Sequence, residues 1–229
     1  MRGQVCLIAG VGPGTGTACA RRFALGGYRV AMLARNKERL DTLENEIDGA
    51  RGYVCDVANF DQLLETTERV SADLAPPSIV IHNAVSGILE GGGAGKFLEA
   101  DPARLERNFR VNTTSLLYLA RATAPAMVEA GKGAIIVTGN TSAIRGKPNF
   151  AHFAPTKAAQ RILAEAMALD LGPKGIHVAY MLIDAAIDTP RTSQVFAADK
   201  PDDFFFKTSA ICLLYTSPSP RDGLLSRMP

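Results

Sequence analysis

The chain predicts a single α/β domain, a parallel sheet with helices packed on both faces, and three observations predict it. Short apolar runs alternate with longer amphipathic ones along the chain, the rhythm of strand–helix–strand crossovers. The short runs are almost uniformly apolar rather than alternating, as strands covered on both sides must be. A glycine-rich stretch, "AGVGPGTG", joins the first apolar run to the first helical one.

Taken in order, "QVCLIAG", "YRVAMLA", "RGYVC", "SIVIH", "GAIIVTG" and "IHVAYMLI" read as six strands. Helices are expected to begin near Thr15, Lys37, Asn59, Pro102 and Phe150. Asp101 suits the cap of the fourth, with Pro102 at its first position, where a missing N–H costs nothing. "LGPKG" stops the last helix near Leu171, since neither glycine nor proline continues a helix. From Cys212 the composition turns abruptly to Ser, Pro and Arg without helix or strand period. "CLLYTSPSPRD" is also what the codons of a sequencing-library adapter would spell. Residues 1–211 are therefore expected to be the natural domain, cut short at its C-terminus, and 212–229 a non-native tail.

Composition narrows the function. An apolar share of 47%, a charged share of 21% and a net charge of +2 are those of an ordinary soluble domain and argue against a nucleic-acid partner. Cys6, Cys19, Cys55 and Cys212 lack metal-ligand spacing and read as small buried apolar residues in a reducing compartment. No metal site is expected. No apolar run approaches the roughly 20 residues of a membrane span, and the cytoplasm is the expected location.

In "AGVGPGTG", Gly10, Gly14 and Gly16 stand at the spacing GxxxGxG, with Gly12 inside the loop. Backbone without Cβ can turn sharply there and approach a pyrophosphate, whose charge then sits at a helix N-terminus. The strand–glycine loop–helix order makes this the entry of a Rossmann-like, doubly wound sheet that binds a dinucleotide. The second strand ends on Ala34 rather than on the carboxylate that would hold the ribose of NAD, and Arg35 and Lys37 follow. A guanidinium fork there meets a 2′-phosphate. NADP is therefore the expected cofactor, with NAD as the weaker alternative.

From Val5 to about Pro190 the chain resembles the short-chain dehydrogenase/reductase family, whose signatures recur in order. "CDV" puts Asp56, with Val57 beside it, where the family contacts the adenine. "HNAV" puts Asn83 and Ala84 after the fourth strand, although His82 and Val85 depart from the family's NNAG. "RVNTTS" supplies Asn112, the family's helical asparagine, which holds a water of the proton relay. Lys157 matches the lysine on the nicotinamide ribose, and "IDTP", with Thr189, follows the sixth strand. Ala185 replaces the glycine of that loop, and Asp184 its proline. The resemblance implies a sheet of strand order 3-2-1-4-5-6, with the family's last strand missing. It also implies a small-molecule substrate and a homodimer or homotetramer. Leu116, Leu119, Ile162 and Met167 are apolar residues available for the family's helical interface, and each could equally face the sheet.

The catalytic pattern departs from the family at two places. Phe153 stands where the family has its proton-donating tyrosine, and Asn140, followed by Thr141 and Ser142, stands at its serine. Losing a general acid costs about 10²- to 10⁴-fold but leaves the hydride geometry. Three substitutes are open: His152, Lys157 through a water, or a substrate such as a conjugated alkene or activated carbonyl that needs less proton help. Val195, Phe196, Phe204, Phe205 and Phe206 in the loop after "IDTP" point to an apolar substrate or to lid packing. His82 and His177 are expected to be packed or hydrogen-bonded. The resulting expectation is an NADP-dependent oxidoreductase with an altered proton donor. A non-catalytic NADP-binding sensor or scaffold is the alternative.

Overall fold

In the computed structural model of the protein, six parallel strands form one twisted sheet in the order β3-β2-β1-β4-β5-β6. The structure describes residues 3–87, 97–184, 186–187, 189, 192 and 205–208. The strands are β1 (Val5–Ala9), β2 (Arg29–Ala34), β3 (Ala50–Val54), β4 (Ile79–His82), β5 (Gly133–Asn140) and β6 (Ile176–Ile183). Both the six strands and their expected order are found, and β6 lies at the end of the sheet.

Alternate residues of β1 face opposite layers, as the two-residue period of a strand requires. Cys6 and Ile8 pack with Cys19, Phe23, Leu40 and Leu43 of α1 (Thr15–Leu25) and α2 (Lys37–Glu46). Val5 and Leu7 belong to the opposite cluster, with Leu63 of α3 (Phe60–Asp73), Leu116 and Leu119 of α5 (Ser115–Glu129), and Met167 of α6 (Ala154–Leu171). Burying each such side chain contributes on the order of 1.5–3 kcal/mol.

Helix ends follow local chemistry. Asn36, Asn59 and Asp101 each accept a backbone N–H at the head of α2, α3 and α4 (Pro102–Phe109), removing donors that a helix start would otherwise leave open. Two expectations need correction. The last long helix begins at Ala154, not near Phe150, because Pro155 belongs in a first turn and Asn149 before it is left-handed, with φ 65°. The run from Pro102 is not one helix either. The π-turn Arg110–Thr114 separates α4 from α5, and Ser115 N–H donates to the Arg110 carbonyl five residues back. Asn112 sits in that turn.

A two-residue strand β7 (Ala186–Ile187) pairs in parallel with β8 (Phe205–Phe206), apart from the main sheet. Among the described residues no helix is long and apolar enough to cross a membrane, and Cys6, Cys19 and Cys55 are buried and not joined in disulfides.

Candidate active site

A cleft of about 510 Å³ opens at the carboxyl ends of β1, β2, β3 and β4, where chain connections diverge to the two faces and ligands bind such sheets. Its wall includes Gly10, Gly12, Asp56, Val57, Asn83 and Ala84. The glycines differ in what they do. Gly10 has φ +97°, and a Cβ on it would lie 2.5 Å from Ala84 N. A Cβ on Gly16 would meet Gly10 O at 2.5 Å and Val11 Cα at 2.8 Å. These two allow β1, β4 and α1 to touch backbone to backbone. Gly12 has nothing within 4 Å of its would-be Cβ and presents bare backbone to the cleft, whereas Gly14 is covered by the Thr189 methyl, 2.7 Å from its would-be Cβ. Thr189 itself is bonded to Thr192, Oγ1 to Oγ1, at 2.8 Å.

Asn83 pins this end together: its Nδ2 donates to Gly10 O at 2.7 Å and its Oδ1 accepts from Thr138 Oγ1 at 3.0 Å. Asp56 turns one oxygen to Ala58 N at 3.0 Å and still borders the cleft. A dinucleotide's pyrophosphate fits here on two counts. The glycine backbone leaves room for it, and the Thr15 hydroxyl, at the start of α1, is buried without a hydrogen-bond partner among the described residues.

At the end of β2 the cleft is cationic. Ala34, Arg35, Asn36 and Arg39 line it, and among the described residues Asp56 is the only carboxylate in its lining. Lys37, the second cation expected from the sequence, instead bonds Asp41 one turn on, at 2.6 Å and 2.8 Å. Arg39, in the first turn of α2, takes its place on the cleft wall beside Arg35 and Asn36. No signal in the sequence singled it out. Arg107 and Val111 form the far wall; Val111 lies within "RVNTTS", and no sequence motif marks Arg107.

The segments expected to carry chemistry are arranged differently from their family roles. Asn140 Oδ1 accepts Ser142 N at 2.8 Å and its Nδ2 reaches Ile183 O at 3.4 Å, so its amide serves the backbone. Thr141 Oγ1 donates to Asp184 Oδ1 at 2.8 Å. Ser142, of the three, buries an unpartnered hydroxyl on a second, mainly apolar cleft of about 470 Å³ beside the start of α6. Phe153 is 1% exposed, edge-on to Phe150 at 6.2 Å between centroids, and lines neither cleft.

Asn112 is fully engaged: its Oδ1 accepts Ser86 N at 2.8 Å, and its Nδ2 donates to Ser86 O at 3.0 Å and Thr156 Oγ1 at 2.8 Å. Its side chain therefore ties the cleft wall to α6, and both amide protons are spent. His152 is buried, with neither ring nitrogen bonded among the described residues. Lys157 is 2% exposed; its Nζ donates to Thr138 O at 2.9 Å and to Gln160 Oε1, and burial brings its pKa down to about 7. His82, expected to be packed or bonded, is both. Its Nε2 meets Ser115 Oγ at 2.7 Å, and burial first, then the Lys157 charge, lowers it to about 3. His177 is exposed on β6, contrary to expectation. Ala185, Val195, Phe196, Phe204 and the tail from Cys212 lie outside the described residues, as do the side chains of Phe205 and Phe206.

The short chain dehydrogenase family matches residues 4–200. D-erythrulose reductase of Gallus gallus is 30% identical over 178 residues, 77% of this chain and 69% of that protein. A metagenomic short-chain oxidoreductase in complex with NADP superimposes with a TM-score of 0.76 at 26% identity, over 90% of this chain and 96% of its own. The 3-ketoacyl-(acyl-carrier-protein) reductase of Brucella melitensis, complexed with NADH, gives 0.84 at 25% identity over 95% and 92%. One of these solved relatives holds NADP and the other NADH, so the choice between them rests on this chain's own residues.

Proposed function

This chain belongs to the short chain dehydrogenase family, whose members are NAD(P)-dependent oxidoreductases, and we propose that it moves hydride between NADP and a small carbonyl, alcohol or activated alkene without a tyrosine as proton donor. The observation that carries the cofactor choice is the cationic end of the cleft. Arg35 and Arg39 stand where β2 stops without an acid. Two guanidinium forks offer a 2′-phosphate several charge-assisted bonds, and the ribose of NAD finds no carboxylate to hold its hydroxyls. When bound, the cofactor supplies the hydride chemistry.

This chain's residues do the rest. Gly12 lets backbone approach the pyrophosphate, and Thr15 offers it a hydroxyl. Asp56, Val57, Arg107 and Val111 enclose the adenine. Lys157, 2% exposed behind Thr138 and Asn83, is the group for the nicotinamide ribose. Ser142 is the hydroxyl available to a substrate oxygen. The curated D-erythrulose reductase supports a small carbonyl compound as substrate. Affinities for NADPH and NADH by fluorescence titration test the cofactor choice: NADPH is expected to bind at least several-fold more tightly, and equal affinities refute it.

A second reading has its own support. Phe153 has no proton to give, and the Asn140 amide is spent on backbone, which suits a protein that binds NADP without turning it over. NADPH consumption over a panel of aldehydes, ketones and enones separates the two. Binding without turnover on any of them selects the second.

Assembly as a homodimer through α5 and α6 completes the proposal. Leu116, Leu119 and Met167 cannot serve that interface, because all three are buried in the core. Leu117 and Val128 of α5 and Ile162 and Leu169 of α6 are 38–75% exposed, and they supply the apolar surface instead.

A further inference from the structure

Behind the cleft, one chain of hydrogen bonds can be read with its direction. Ser115 Oγ donates to Val111 O at 2.7 Å, so its single proton is spent and it must accept from His82 Nε2. His82 is therefore the Nε2–H tautomer, and its Nδ1 is an acceptor. The Gln160 Nε2 amide, 3.2 Å away, donates to that nitrogen. This fixes the Gln160 amide with Oε1 turned to Lys157 Nζ. His82, Ser115 and Gln160 are 0% exposed, so none of these bonds is exchanged with water. Thr138 O and Gln160 Oε1 take two of the three directions of a protonated Nζ. Thr138 in turn bonds Asn83 on the cleft wall.

We propose that Gln160, oriented by His82 and Ser115, is a positioning residue that fixes the place of the Lys157 amine and how firmly it keeps its proton, and so sets the pH dependence of cofactor binding. The inference rests on the reading that Lys157 meets the nicotinamide ribose. The chain also accounts for His82, the residue that departs from the family's asparagine. An asparagine there has a shorter reach and a different donor pattern, and it would not dictate the flip of the Gln160 amide.

The surroundings leave Gln160 as the deciding partner. Of the other titratable groups, His82 stays neutral. Tyr180 on β6 donates its hydroxyl to the Lys157 carbonyl at 3.3 Å, and burial pushes that phenol up to about 12. No other titratable side chain among the described residues is bonded to Lys157, and none of the ion pairs includes it. An ammonium with a pKa near 7 changes charge in the working range of pH, so a change of its acceptor moves the midpoint.

Two measurements test this on the full chain. One is NADPH affinity by fluorescence titration between about pH 5.5 and 9, a range that brackets a group poised near neutrality. The other is a ¹³C NMR titration of the labelled Lys157 ε-carbon, which needs no cofactor. The wild type is expected to lose NADPH affinity several-fold as pH rises through about 7. Gln160→Glu should raise the midpoint by about 1–3 units in both measurements, because it places an opposite charge against the amine. Gln160→Leu and His82→Asn should lower it, the first by removing the acceptor and the second by freeing the amide to turn its N–H₂ inward. A part that is only structural would change melting temperature without moving the midpoint in opposite directions. Coincident Lys157 midpoints in wild type and Gln160→Glu overturn the inference, and Gln160→Glu decides the matter even if Gln160→Leu fails to fold. No NADPH binding at any pH, with midpoints that still diverge by NMR, overturns the cofactor reading and the link to it but leaves the control of Lys157 standing.

Discussion

At Phe153 the backbone, rather than the ring, makes the bonds: its carbonyl accepts Thr156 N and Lys157 N, both at 3.1 Å, and Thr156 Oγ1 at 2.7 Å. The position at the head of α6 is thus kept by main-chain geometry, and the side chain can change without moving Lys157. Phe153→Tyr is therefore expected to raise NADPH-dependent carbonyl reduction by at least about tenfold, toward the ~10²- to 10⁴-fold worth of a general acid. An absorbance assay of NADPH consumption checks it. An unchanged or slower rate in an already fast enzyme shows that another group carries the proton. At the other end of the cleft, Arg39→Ala and Arg35→Ala should each weaken NADPH several-fold and leave NADH almost untouched, since only the 2′-phosphate distinguishes the two. Paired fluorescence titrations measure that difference. If Arg39→Ala weakens both cofactors alike, the guanidinium reads the shared part of the molecule.

Within elements, the glycine loop makes a contrast of two neighbouring positions. The Cβ of Gly16→Ala would press on backbone atoms of Gly10 and Val11, which cannot swing aside as a side-chain end can. A loss of about 1–3 kcal/mol is expected, visible as a lower melting temperature without any ligand. Gly12→Ala meets nothing, so the melt should stay in place while NADPH affinity falls, because its methyl enters the cleft. Thermal melts with and without NADPH check both. On α5, Leu117 and Val128 lie about three turns apart and share a stripe, as do Ile162 and Leu169 two turns apart on α6. Leu117→Glu with Ile162→Glu should convert a dimer to a monomer in sedimentation. A wild-type protein that sediments as a monomer removes the interface from the proposal.

Across the whole molecule, buried titratable groups tilt the pH dependence of stability toward alkali. Burial holds His82 at about 3 and Lys157 at about 7 in the folded chain, below their ordinary values of 6.5 and 10.5. The unfolded chain then binds more protons, and stability rises with pH through both windows. Cys6 and Cys55 work the other way. Burial raises Cys55 from 9.0 to about 11 and Cys6 well above 9.0, so the stability they contribute below pH 9.0 is lost as pH climbs beyond it. Melting temperature should therefore increase from acid to about pH 8–9 and then turn down. Lys157→Met should flatten the rise above pH 7. Calorimetric scans over that range test the shape, and a maximum below pH 7 in the wild type contradicts it.

What the sequence determined by itself was everything that local period and backbone sterics decide. The largely apolar runs predict strands of a covered sheet, and Gly10 and Gly16 mark a place where strand, helix and neighbouring strand touch by backbone. Ala34 followed by Arg35 is a local chemical statement as well. The tertiary structure alone decided where side chains turn. Leu116 went to the core and Leu117 to the surface, because packing on β4 and β5 sets the phase of α5. Asn140 turned to backbone, and Lys37 gave way to Arg39. Most plainly, His82, Ser115, Lys157 and Gln160 joined into one chain although Gln160 and His82 stand 78 residues apart. Hydrogen-bond partners inside a fold are chosen by proximity in space and by the absence of competing water, and neither is written in the order of residues.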